Sequence, residues 1–243
     1  REPHWQYPCG EDHHSKSTDP VIPEDLRNFL TVQYKDKNLT ISEMDSIVAN
    51  LRNTGGQNDY YALRNAVFLY RVGYDFAYID GRDNPFRLEY IDFGHPDHNI
   101  FRCVNQFVME QGRKNRRPDI LLFINGIPVC IIELKNPTKQ NATIRDAHTQ
   151  ICTRYMRDIP ALLKYCALVV ISDGAKNALG TTYTLFEFFY EWKKIENEDK
   201  AGKGLDTLRT LIRGALSPER ILEILRDYVY FPDPTKEDDT TEI

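Results

Sequence analysis

The sequence predicts an α/β fold, a central sheet flanked by helices, and three observations carry that expectation. Residues 119–124 and 127–134 are apolar on both alternating faces, the pattern of central strands covered on two sides. Asn125-Gly126 lies between them and is a strong hairpin signal. Before and after this pair, apolar residues recur at helical spacing: Ile41, Met44, Ile47, Val48 and Leu51, then Ile221, Leu222, Ile224, Leu225 and Val229.

Taken in order, residues 1–38 read as an irregular N-terminal segment with Pro3, Pro8, Pro20 and Pro23. The chain starts without methionine, so residues upstream are expected. A helix opens with Ser42 or Thr40 as N-cap and Glu43 and Asp45 in its first turn, and Gly55-Gly56 ends it. A second helix runs from Tyr60 to Tyr70. From Arg87 the period changes, and 87–92 and 100–108 read as strands around the turn-rich stretch Gly94–Asn99. After the hairpin come a helix over 141–157, a buried strand over 165–171 stopped by Ser172-Asp173-Gly174, and an extended stretch over 188–195. Two amphipathic helices follow, over 205–213 and 218–228. The expected organisation is a main domain over 39–200, a helical pair over 201–231 packing on it or leading out of it, and an acidic linker over 232–243.

At 243 residues with 41% hydrophobic content, the chain has enough apolar mass for one large domain. A net charge of −5 argues against a free-standing, charge-driven nucleic-acid binder. The five cysteines include no CxxC, which reads as a reducing, cytoplasmic setting, with Cys130 a small buried hydrophobe. No signal peptide is present, and no apolar run approaches the ~20 residues that span a bilayer, so no membrane association is expected.

The chemistry centres on Asp119, Glu133 and Lys135. Two carboxylates suit a hard divalent cation, and a lysine one pleat repeat beyond the second can orient a water or offset developing charge. The bland alternative is an acid at a strand edge and a chance Glu-x-Lys. Charges following a dense apolar run in a central strand are rare unless paired or ligating, which favours a site. Convergence imposes a condition. A strict two-residue loop at Asn125-Gly126 would set Asp119 opposite Ile132 and turn Glu133 to the other face. A one-residue shift aligns the two acids, so a bulged hairpin is expected, with a three-residue loop closed by Gly126, or a bend at Asp119.

The basic run Arg113-Lys114-Asn115-Arg116-Arg117 adjoins Asp119 and reads either as a solvated loop or, by its position, as phosphate contacts from Arg113, Lys114, Arg116 and Arg117. His95 and His98 lack a clear third ligand and read as surface histidines. Gly202-Lys203-Gly204 lacks the rest of a phosphate loop, so no ATP site is expected within this chain.

The stretch Asn115–Pro137, Asn-Arg-Arg-Pro-Asp-Ile-Leu-Leu-Phe-Ile-Asn-Gly-Ile-Pro-Val-Cys-Ile-Ile-Glu-Leu-Lys-Asn-Pro, closely resembles the N-terminal nuclease domain of the R (restriction) subunit of type I restriction-modification enzymes. Tyr90–Asn99, Val104–Phe107, Asn141–Ile144, Val170–Gly174, Glu191–Lys193 and Leu211–Gly214 extend the resemblance over about residues 20–232. It implies a PD-(D/E)xK restriction-endonuclease-like fold with a mixed central sheet, and Mg²⁺-dependent hydrolysis of double-stranded DNA. Asp119, Glu133 and Lys135 fall on the family's catalytic positions, and Asp119, Glu133 and the Leu134 backbone carbonyl would hold the metal. Gln150 and Tyr155 match a Gln/Tyr signature for handling DNA, and Glu43 is a candidate for a further acid from an N-terminal helix. The resemblance also implies modification and specificity subunits as partners, and ATP only for a motor region outside this chain. Two other readings stay open: another nuclease of the same fold, of resolvase or repair type, and a non-cleaving module that docks DNA or a subunit.

Overall fold

The computed structural model describes residues 4–7, 17–136, 143–195 and 202–232. Cys9, the Asn141 end of the expected helix and residues 233–243 lie outside the described residues. The chain forms α1 (Pro23–Gln33), α2 (Ile41–Asn53), α3 (Asp59–Val72), β1 (Tyr74–Phe76), β2 (Phe86–Leu88), β3 (Phe101–Asn105), β4 (Met109–Gln111), β5 (Lys114–Arg116), β6 (Ile120–Ile124) and β7 (Ile127–Leu134). Then follow α4 (Ile144–Thr149), α5 (Met156–Asp158), α6 (Pro160–Leu163), β8 (Leu168–Ser172), β9 (Asn177–Gly180), α7 (Leu205–Ala215) and α8 (Pro218–Glu223).

The main sheet has the order β3-β6-β7-β8-β9. Its pairs are antiparallel except β7–β8, which is parallel. A parallel joint needs a crossover, and α4 to α6 supply it. Both faces of the sheet are buried. Leu122, Ile124, Cys130, Ile132, Leu168 and Val170 pack with apolar residues of α1, α2, α3, α7 and α8. Leu121, Phe123, Ile131, Val169 and Ile171 pack on the other side with Ala147, Ile151, Tyr155 and Leu162. The expected α/β architecture with a mixed, doubly covered sheet is what forms.

Several boundaries differ from the sequence reading. The segment 1–38 is not irregular throughout: α1 lies in it, with Pro23 in its first turn and Leu26, Phe29 and Leu30 buried. Pro23 reads as a breaker by composition, but proline suits the first helical turn, where its missing N–H costs nothing. The strand over 87–92 is cut to Phe86–Leu88, because from Asp92 the chain enters a loop closed by side-chain bonds. The strand over 100–108 stops at Asn105, where Gln106 adopts a positive φ of 51°. β8 begins at Leu168, since Tyr165 and Cys166 still bond back to the preceding turn. In 188–195 no strand forms: Phe188 ends a 3₁₀ turn, and Tyr190, bridged to Leu179, and Lys194 are in isolated bridges. The pair α7–α8 packs into the core shared with α1 to α3.

Thr40 is the N-cap of α2, in a capping box with Glu43. Glu43 is buried, and its carboxylate also receives Ile79 N (3.2 Å) and both terminal nitrogens of Arg82 (2.7 Å each). The Arg82 guanidinium holds the Glu43 carboxyl down at about 2. Glu43 is therefore spent on tying α2 to the loop at residues 79–82, and it does not join Asp119 or Glu133 as the further acid considered for this helix.

The hairpin carries the architectural detail on which the site depends. Asn125 (φ 50°) and Gly126 (φ 78°) are both left-handed, as a two-residue type I′ turn requires. Ile124 pairs with Ile127 and Phe123 with Pro128, but Leu122 pairs with Cys130. Val129 is thus an extra residue, and the expected shift is made by a bulge inside β7 rather than by a longer loop. Val129 and Cys130, consecutive in the chain, both pack on the same side of the sheet. Pro128 precedes the stretch of β7 that pairs with β8, so its missing N–H removes no bond from that ladder.

The turn is braced from two directions. Asn125, fully buried, donates through Nδ2 to Tyr90 O (2.9 Å) and Asn99 Oδ1 (2.8 Å) and accepts from Ile100 N (2.7 Å). Gly126 accepts from Ile22 N at 2.8 Å, and a Cβ on it would lie 2.1 Å from Ile22 O. Gly126→Ala therefore meets both the left-handed penalty and a backbone clash with the start of α1. Gly112, also left-handed but with nothing within 4 Å of its Cβ position, meets only the first. Urea unfolding is expected to give a loss of about 1–2 kcal/mol for Gly112→Ala and a further ~1–3 kcal/mol for Gly126→Ala. Equal losses would contradict the close approach of α1.

Candidate active site

Three segments converge at the end of the central strands. Asp119 precedes β6, Glu133 lies near the end of β7, and Gln150 and Tyr155 come from the helical stretch after it. Because β7 gains one residue at Val129, the pairs after it run Leu121↔Ile131 and Ile120↔Ile132. Side chains alternate along each strand. Ile120 and Ile132 face the α1–α3 core, so Asp119 and Glu133 both face the α4–α6 side. The two acids and lysine expected to converge do so.

Asp119, half-buried, accepts a hydrogen bond from Leu134 N through Oδ2 at 2.8 Å. The bond ties the start of β6 to the end of β7 and directs the carboxylate toward Glu133. Lys135 N donates to Ser172 O at 2.7 Å, which continues the β7–β8 ladder one residue past β7. That keeps Lys135 one pleat beyond Glu133 on the same face, and its Nζ reaches Glu133 Oε1 at 2.9 Å and Gln150 Oε1 at 2.7 Å.

Gln150 and Tyr155 meet through local backbone geometry. In an α-helix they would be about 140° apart around the axis. Residues Gln150–Tyr155 instead form a π-helical turn between α4 and α5, which widens the turn and brings positions five apart together. Gln150 Nε2 donates to Tyr155 Oη at 2.7 Å and also to Glu133 Oε1. Tyr155 Oη lies 3.4 Å from both Glu133 Oε2 and Arg117 O. The two residues are thus part of the carboxylate's surroundings rather than an isolated surface pair. The sequence pattern alone suggests an ordinary helix here, since nothing in composition announces a π turn.

Glu133 is 3% exposed. Burial pushes its carboxyl up, the hydrogen bond from Lys135 pulls it down, and the charge of Asp119 pushes it up again, with a net rise. Burial, then the neighbouring Glu133 charge, raises the Tyr155 hydroxyl far above its ordinary value, so it remains a donor. The cluster holds two carboxylates and one ammonium, an excess of negative charge in a partly dry place. The oxygens it could offer a cation are those of the Asp119 and Glu133 carboxylates and the Leu134 carbonyl, all hard ligands of the kind Mg²⁺ takes.

The basic run divides into different roles. Arg113 and Lys114 are exposed at the tip and second strand of the β4–β5 ribbon. The Arg117 side chain is exposed, and its carbonyl faces Tyr155. Arg116 instead turns inward to the buried Asp158, with Nε–Oδ2 at 2.9 Å, and Arg157 closes the other side of that carboxylate. Together Arg157 and Arg116 hold the Asp158 carboxyl well below the usual range. Arg116 thus anchors the ribbon to α5 instead of standing free as a phosphate contact.

The family described as the type I restriction enzyme R protein N terminus matches residues 4–188. Among curated relatives, the chain is 31% identical over 241 residues to the type I restriction enzyme HindI endonuclease subunit of Haemophilus influenzae, covering 93% of this chain and 22% of that protein. It is 24% identical over 215 residues to the SsaAORF53P endonuclease subunit of Staphylococcus saprophyticus, covering 85% of this chain and 21% of the relative. To the EcoprrI endonuclease subunit of Escherichia coli it is 32% identical over 133 residues, 51% of this chain and 40% of the relative. The chain thus spans about a fifth of the length of the first two of these proteins.

The Glu133 environment has a direct titration signature. A carboxyl whose value is raised by folding binds its proton more readily folded than unfolded. It favours the fold below its ordinary range, and that contribution is lost as pH rises through the folded value. In ¹³C NMR of the Glu133 carboxyl, Asp119→Asn is expected to lower the titration midpoint and Lys135→Met to raise it. A midpoint that neither substitution moves would contradict the described contacts.

Proposed function

The chain belongs to the family of type I restriction enzyme R protein N termini, and on that premise we propose that it is a divalent-metal-dependent DNA endonuclease domain with a PD-(D/E)xK fold. The observation that carries this reading is the bulge-aligned pair Asp119 and Glu133, with Lys135 against the second acid. The negative excess of the pair and its hard oxygen donors fit a cation such as Mg²⁺. Asp119, Glu133 and the Leu134 carbonyl would hold that ion, which when bound supplies Lewis-acid charge to a phosphate oxygen and lowers the pKa of a water.

The reaction adds water across a phosphodiester: the water oxygen joins phosphorus, the P–O bond to the leaving sugar oxygen breaks, and a proton passes to that oxygen. The chain's own groups have distinct parts in it. Asp119 is oriented by its bond to Leu134 N, so the strand pairing itself fixes a ligand. Lys135 brings a donor and a positive charge to the side of Glu133, suited to orienting the attacking water or stabilising charge on the phosphoryl oxygens. Gln150 and Tyr155 restrain Glu133, and on this reading they would act on the DNA through that carboxylate. Arg113, Lys114 and Arg117 offer phosphate contacts beside the acids.

Double-stranded DNA is the proposed substrate. Modification and specificity subunits, and an ATP-driven motor elsewhere in the larger protein, would deliver it in the cytoplasm. Among the described residues no helix is long and apolar enough to cross a membrane.

Asp119→Ala and Lys135→Ala are each expected to cut Mg²⁺-dependent plasmid cleavage by the assembled restriction complex at least ~100-fold, while each variant remains folded by circular dichroism. Retained cleavage in both variants would overturn the assignment. Calorimetry separates the rival module: a chain that binds DNA but takes no Mg²⁺, in a complex that cuts regardless, is a docking module.

A further inference from the structure

We propose that Asp92, His95 and His98 form a second metal site, separate from the candidate active site, for a borderline divalent ion of the Zn²⁺ type. The sequence sets the two histidines three apart in a turn and suggests no partner for them. The fold supplies one, since the ligand atoms of Asp92, His95 and His98 all lie within 4.8 Å of one another.

The local backbone makes the convergence. Pro96–His98 is a 3₁₀ turn with His95 as its N-cap residue, and positions three apart in such a turn lie above one another. The two imidazoles accordingly stack, with centroids 4.8 Å apart and planes 21° from parallel. Both direct Nδ1 at one atom, Asp92 Oδ2, at 3.3 Å from His95 and 2.9 Å from His98. Ligands on tetrahedral Zn²⁺, with bonds near 2.0–2.2 Å, stand roughly 3.3 Å apart. The two Nδ1–Oδ2 separations are thus close to those of ligands that share an ion, and rotation of the exposed, stacked rings would bring both Nδ1 lone pairs onto it.

The carboxylate is also held as a ligand's would be. Asp92 is 6% exposed. Its Oδ1 accepts from Gly94 N and His95 N at 2.9 Å each, and its Oδ2 accepts from Gln33 Nε2 at 2.9 Å. Asn99 closes the loop, accepting from Asp92 N at 2.9 Å and donating to Asp92 O at 2.7 Å. Such outer partners orient ligands and tune their affinity.

Two imidazoles and one carboxylate favour Zn²⁺, Ni²⁺ or Cu²⁺ over Mg²⁺, which prefers all-oxygen sites. The histidine side chains are 68% and 46% exposed, so water can complete the coordination. The ion would clip the loop whose Asn99 braces Asn125 in the central hairpin turn. Its predicted effect is therefore on stability, independent of phosphodiester chemistry.

The test is Zn²⁺ titration of the 243-residue chain by calorimetry, with Co²⁺ absorption as a second probe of ligand geometry. Wild type should bind Zn²⁺ saturably and melt higher with it. In an Asp119→Asn/Glu133→Gln background, which removes the other carboxylate pair, one Zn²⁺ should still bind saturably, and adding His95→Asn/His98→Asn should weaken that binding at least ~100-fold. Should the histidine variant fold poorly, ¹⁵N NMR of wild type decides, since Zn²⁺ must shift the Nδ1 resonances of His95 and His98. No saturable binding, equal affinity in the histidine variant, or unmoved Nδ1 resonances would each overturn the site and leave a plain His–Asp hydrogen-bonded turn.

Discussion

One extra residue in one strand sets the arrangement. Side chains alternate along a strand with a period of two, so inserting a single residue exchanges the faces of everything beyond it. Val129 is that residue in β7. Before it, the phase is set by the tight Asn125-Gly126 turn. After it, Ile131 faces the α4–α6 core, and Glu133 follows two residues later on the same face. Without the bulge Glu133 would enter the α1–α3 core as an unpaired carboxylate, and Asp119 would have no partner. Both cores are dense, so the phase is enforced from two sides: no apolar residue of β6 or β7 can slip without burying a charge or exposing a hydrophobe.

The same constraint explains the electrostatics. An acid in a buried strand is costly unless its oxygens are satisfied. Glu133 meets that demand with donors from three sources: Lys135 from its own strand end, and Gln150 and Tyr155 from a π turn. Asp119 is held by a backbone amide of the partner strand. Each acid is thus positioned by main-chain pairing, and the residual repulsion between them remains where a cation could relieve it. The rest of the basic run is partitioned in the same economical way. Arg116 neutralises Asp158, while Arg113, Lys114 and Arg117 are left to the surface.

Much of this was legible before any coordinates. The hairpin, the doubly buried central strands, the helix capped at Thr40 and the need for a one-residue shift between Asp119 and Glu133 all follow from period, turn chemistry and charge. The location of the shift did not, because a longer loop and an internal bulge satisfy the same alternation; packing of both Val129 and Cys130 on one face distinguishes them. Helix α1 was obscured by Pro20 ahead of it and Pro23 at its start. The meeting of Gln150 with Tyr155 depends on a π turn, and Asp92's convergence with His95 and His98 depends on a 3₁₀ turn. Local windings of that kind are set by tertiary packing and leave little trace in composition. Arg116 looked like its neighbours because a charge run does not reveal which member finds a buried carboxylate.

The turn residue Asn125 joins these levels. Its left-handed backbone closes the hairpin, and its side chain is bonded to Tyr90, Asn99 and Ile100. The loop over residues 92–99 therefore braces the same turn from which the phase of β7 is counted. The central claim, that the bulge brings Asp119 and Glu133 together to hold a divalent ion, is tested most directly by anomalous diffraction from crystals soaked in Mn²⁺. A peak is expected between the two carboxylates and beside the Leu134 carbonyl. Carboxylates on opposite faces of the sheet, or Mn²⁺ bound elsewhere with that position empty, would contradict that claim.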